Sequence, residues 1–175
     1  MFRRKQPSSE HQYSRKIPSR VAFREHPLHP MLVVFPIAFL MSLPAADLAF
    51  VLLGDERLAL LAFLLNLAGL ATGLAAAAMG LGDFLLVREI RNHIAAWSHA
   101  VVAVSMLALA AAGVWLRWPD PVAAVWPWGL MLSSVTGVVV GATGWLGGTL
   151  SFRHGIGVYG DEDAAAPPCD PAGKE

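Results

Sequence analysis

Apolar residues dominate four stretches of this chain, at about residues 31–53, 58–81, 94–116 and 126–150. Each is near the roughly 20 residues that an α-helix needs to cross a bilayer. Strands are excluded because the runs are too long, do not alternate, and are rich in Ala and Leu. The connections are short. "GDER" (54–57) forces an antiparallel hairpin between the first two spans, and "GDFLLVREIRNH" (82–93) and "RWPDPVAAVWP" (117–127) join the rest. The pattern predicts an all-α, polytopic membrane protein built as an antiparallel four-helix transmembrane bundle over residues 25–158. A basic tail (1–24) and an acidic tail (159–175) flank it, and both are expected to be disordered.

Charge refines this reading. Charged residues make up 15% of the chain, against about a quarter in a soluble domain, and they crowd the two ends. With both termini on one side, that side carries eleven of the 13 Lys and Arg residues, leaving only Arg57 and Arg117 opposite. The bias places both termini in the cytoplasm. Trp115, Trp118, Trp126 and Trp128 cluster around the outer loop, where half-wetted indoles belong. "SLPAADLA" (42–49) resembles a cleavage site, but the long polar stretch before it and Asp47 beside it argue against removal. A zero formal net charge gives no reason to expect a nucleic-acid partner. The single cysteine, Cys169, excludes an intrachain disulfide and any CxxC motif.

Five of the six histidines then fall near the inner leaflet. His26 and His29 open the first span, His93 and His99 bracket the start of the third, and His154 follows the fourth. Pro30 suits a first helical position, which makes His29 a helix cap. His99 lies about 9 Å beyond His93 at ~1.5 Å per residue, inside hydrocarbon, where an ionisable residue marks a functional site by default. "HPMLVVFPIAFL" (29–40) and "HAVVAVSMLALA" (99–110) echo one another, and the second and fourth spans share spaced glycines. Two tandem hairpins related by an axis along the membrane normal give this pattern and bring His29 and His99 together.

Two neutral imidazoles from facing helices suit haem b, which needs no cysteine. A metal site drawing on His26, His29, His99 and His154, with Asp83 a further candidate ligand, is the competing reading. In a third reading, the histidines only organise the inner surface of a scaffold or accessory subunit. Asp47 and Asn66 are the other costly intramembrane residues, and their positions predict an interhelical hydrogen bond. Gly69 and Gly73 in the second span, and Gly137, Gly141, Gly144 and Gly148 in the fourth, predict close helix packing. Pro36 and Pro44 predict kinks in the first span. No nucleophile–base pair or phosphate loop points to an enzyme.

"HPLHPMLVVFPIAFL" (26–40) and "GWLGGTLSFRHGIGV" (144–158) resemble the bacterial membrane family called domain of unknown function 2231, over residues 25–158. The resemblance implies a four-span inner-membrane protein. Some members are joined to Rieske-type or cytochrome domains, which implies electron transfer with a redox protein partner; a homo-oligomer is also open. Relatives read "HPMLVHFP" where this chain has Val34, so one histidine of the family pattern is missing. His29, His99 and His154 keep that pattern.

Overall fold

The computed structural model describes residues 17–24 and 26–158. A two-residue antiparallel pair, β1 (Ala22–Phe23) and β2 (His26–Pro27), precedes six helices. These are α1 (Leu28–Leu32), α2 (Val34–Leu53), α3 (Glu56–Leu86), α4 (Arg88–Arg91), α5 (Ile94–Arg117) and α6 (Leu130–His154). A kinked turn at Val125–Gly129, in which Trp126 has extended backbone (φ −108°, ψ 133°), leads into α6. Four segments, Leu28–Leu53, Glu56–Leu86, Ile94–Arg117 and Val125–His154, are long and apolar enough to span a membrane.

Local chemistry explains the hairpin between α2 and α3. Gly54 ends α2 in the left-handed region at φ 73°, which glycine adopts without Cβ strain. Asp55 then caps α3 by accepting from Arg57 N at 3.0 Å, satisfying a donor that a helix start leaves free. In space α2 packs on α3 and α6, and α5 packs on the same two helices, so α2 and α5 face one another across the diagonal. Leu40, Leu43, Ala62, Met106, Ala110 and Val140 fill the middle of the bundle. The surface is as apolar as the core: Leu53 is 74% exposed, Val138 75% and Trp145 76%. Such a surface is stable against lipid and not against water.

The elements depart from expectation in three places. The α3 helix runs through Gly80 and Gly82 to Leu86 instead of ending near residue 81. Those glycines admit neighbours and do not break the helix. A Cβ on Gly80 would lie 2.8 Å from His29 Nδ1, and one on Gly82 would lie 2.8 Å from Val21 Cγ2. The α6 helix starts later than expected and continues to His154, where Gly155 caps it at φ 64°. The third departure is at residues 17–24, expected to be part of a disordered tail, which instead pack on the bundle. Asp83, 8% exposed, accepts from Ser19 Oγ, Arg20 N and Val21 N at 2.6–2.8 Å. Ile17 N donates to Gly155 O, and Ile17 O accepts from Gly157 N. These bonds place both ends of the described chain at the same end of the bundle. Residues 1–16 and 159–175, the remainder of the expected tails, lie outside the described residues.

Candidate cofactor site

His29 and His99 meet across the diagonal of the bundle, with ring centroids 6.1 Å apart and planes at 80°. Each ring is anchored to a neighbouring helix. His29 donates Nδ1–H to Ala76 O on α3 at 2.8 Å, and His99 donates Nδ1–H to Thr143 O on α6 at 3.2 Å. A carbonyl oxygen only accepts, so the proton sits on Nδ1 and the neutral ring keeps its lone pair on Nε2. Both rings are half-buried.

Glycine makes the space for each ring. One helical turn after Ala76, Gly80 lies against His29. One turn after Thr143, Gly147 lies against His99, where a Cβ would come within 3.2 Å of Cε1. The two anchoring arrangements are therefore equivalent, as the tandem-hairpin symmetry requires. The glycine spacing predicts the packing stripe of α6 at Gly137, Gly141, Gly144 and Gly148 instead. Gly137 does approach Pro44, but Gly141 and Gly144 have open space beside them, and Gly148 meets only Phe152 of its own helix. Gly69 accommodates Leu40, and Gly73 accommodates Leu107 and Pro36.

The other histidines do not join this pair. His154 lies against His93, ring centroids 4.8 Å apart, because the end of α6 meets the start of α5. His26 lies in β2, exposed, with Nδ1 2.7 Å from Arg24 O. Asp83 is committed to the N-terminal segment. The expected four-histidine cluster is thus not formed, and among the described residues no group of three or more His, Cys, Asp or Glu side chains could hold a metal ion.

At the opposite end of the bundle the structure corrects a second expectation. Asp47 pairs with Arg117, not with Asn66: Arg117 Nη2 lies 2.5 Å from Asp47 Oδ2, and both side chains are 0% exposed. Arg117 also donates to Gly113 O and Gly129 O. The sequence pattern puts Arg117 at the start of the connection 117–127 between the third and fourth spans. Helix α5 in fact carries it into the interior, where Asp47 and two carbonyls compensate its charge. Asn66 packs beside Gly113 and Arg117 with its amide unpartnered among the described residues. From His29 to Asp47 the chain rises about 27 Å at ~1.5 Å per residue, close to the ~30 Å of a hydrocarbon core. The histidine pair and the ion pair therefore lie toward opposite ends of the bundle.

Four apolar helices, a lipid-compatible surface and polar pairs at both ends define a four-span integral membrane protein. Residues 25–160 match the family described as predicted membrane protein (DUF2231), and the chain belongs to that family. Comparison with curated proteins and with solved structures gave no match.

Proposed function

We propose that His29 and His99 are the two protein ligands of a metal-bearing cofactor, haem b, in a bacterial inner-membrane protein that exchanges electrons with a redox partner. The observation that carries this reading is the anchoring of both Nδ1 atoms by backbone carbonyls. Metal-ligating histidines almost always spend their second nitrogen in this way, which fixes the tautomer and aims the free nitrogen. The proximity of the two rings, with centroids 6.1 Å apart, supports it as well. The donor set fits haem b, which His29 and His99 would hold without a third protein ligand. When bound, haem supplies one-electron redox chemistry. The protein's share is to hold both rings in one tautomer and to exclude water with the apolar helices around them.

The excess of Lys and Arg at the histidine end supports a cytoplasmic orientation for that end. A second reading has its own observation: the same Nδ1 bonds already tie α1 to α3 and α5 to α6, as purely structural histidines would. The visible spectrum and metal content of the detergent-purified protein, expressed with ample haem, separate the two. A Soret band with stoichiometric iron supports ligation. A colourless, metal-free protein leaves the scaffold reading.

A further inference from the structure

We infer that the Asp47–Asn66–Arg117 cluster encloses ordered water. Four buried polar atoms there have no hydrogen-bond partner among the described residues: Asp47 Oδ1, Asn66 Oδ1, Asn66 Nδ2 and Arg117 Nε. All three side chains are 0% exposed, and polar groups so placed are paired in folded proteins, by water where protein atoms do not reach. The chemistry of the four atoms selects the ligand. Two are acceptors and two are donors, so the occupant must both donate and accept. The cluster carries one positive and one negative side chain, so a cation is repelled by Arg117 and an anion by Asp47. Water is the small neutral molecule that meets both conditions, and buried waters typically make about three hydrogen bonds of this kind.

The neighbours leave this role open to solvent. Ser133 and Thr136, the buried hydroxyls of α6, donate to Leu130 O and Leu132 O of their own helix. Arg117 Nη1 and Nη2 are taken by Gly113 O, Gly129 O and Asp47. Nε and the free carboxylate oxygen remain. Water bridging them to the Asn66 amide would join α2, α3 and α5 through one hydrated centre near the tryptophan-rich end.

A crystal structure of the full chain that resolves ordered solvent tests this. Water within hydrogen-bond distance of at least two of the four atoms is the expected result. Direct bonds from Asn66 to Asp47 or Arg117 with nothing between them would overturn it, as would an ion or a lipid atom in that position. In solution, protein labelled with 15N in arginine and asparagine side chains should show water cross-relaxation at Arg117 Nε–H and Asn66 Nδ2–H. Resolved signals at both without it would also overturn the inference.

Discussion

Arg117 and Asp47 stand 70 residues apart, and His29 and His99 stand at the same separation. One register of the two halves therefore places a histidine pair at one end of the bundle and an oppositely charged pair at the other. Between them the same register matches Leu40 with Ala110, both buried in the central core. The halves are equivalent in position but complementary in charge at the end opposite the histidines.

Removing one charge of that pair should be costly. Asp47→Ala leaves a guanidinium buried without its counter-ion, and the expected loss is about 3–5 kcal/mol. The double variant Asp47→Leu/Arg117→Leu should recover most of it, because no unpaired charge remains. Thermal unfolding in detergent measures both. A double variant as damaged as the single one would show that the ion pair is not the source of the cost.

At Gly80 the ring of His29 leaves no room for a methyl group, so Gly80→Ala must displace it. Overpacking of this kind costs roughly 1–3 kcal/mol and should weaken any cofactor binding through His29. Gly147→Ala should be milder, since His99 lies further from the added atom. Gly141→Ala has open space and should stay within about 0.5 kcal/mol of the wild type. Stability and cofactor content of the three proteins test the ranking.

The carboxylate of Asp83 holds the N-terminal segment by three accepted hydrogen bonds. Bonds to a charged group are worth about 1.5–3 kcal/mol each before the strain of replacement. Asp83→Ala should therefore loosen residues 19–21 while Ile17 stays bonded to Gly155 and Gly157 and the spans stay folded. Amide hydrogen exchange would then rise sharply at Arg20 and Val21, whose N–H groups lose their acceptor. Unchanged protection there would mean that the segment is held by other contacts.

Much of this architecture was legible in the chain because length and hydropathy alone require four helices, and short loops leave few ways to connect them. The convergence of histidines was legible for the same reason: once the spans are placed, His26, His29, His93, His99 and His154 share an end. The pairing of His29 with His99 was legible too, in the echo between residues 29–40 and 99–110; the separate pairing of His93 with His154, and the carbonyls of Ala76 and Thr143 that anchor the first pair, carry no sequence signal. The end of the second span, expected at residue 81, shifts for a physical reason: α3 continues through Gly82, whose missing side chain answers the bulk of Val21 from the N-terminal segment. Arg117 was missed although a signal existed. Continuing the echo between residues 29–40 and 99–110 along both helices sets Asp47 opposite Arg117.

Replacing His99 with glycine, and then supplying imidazole, addresses the central claim most directly, because it separates ligation from helix tying. The proposal predicts a wild-type protein with a Soret band of a haem held by two imidazoles, loss of that spectrum in His99→Gly and in His29→Gly, and its return when imidazole is added. Substituting His93 or His154 should leave it unchanged. A wild-type protein without the band, or a His99→Gly spectrum identical to the wild type, would contradict the account.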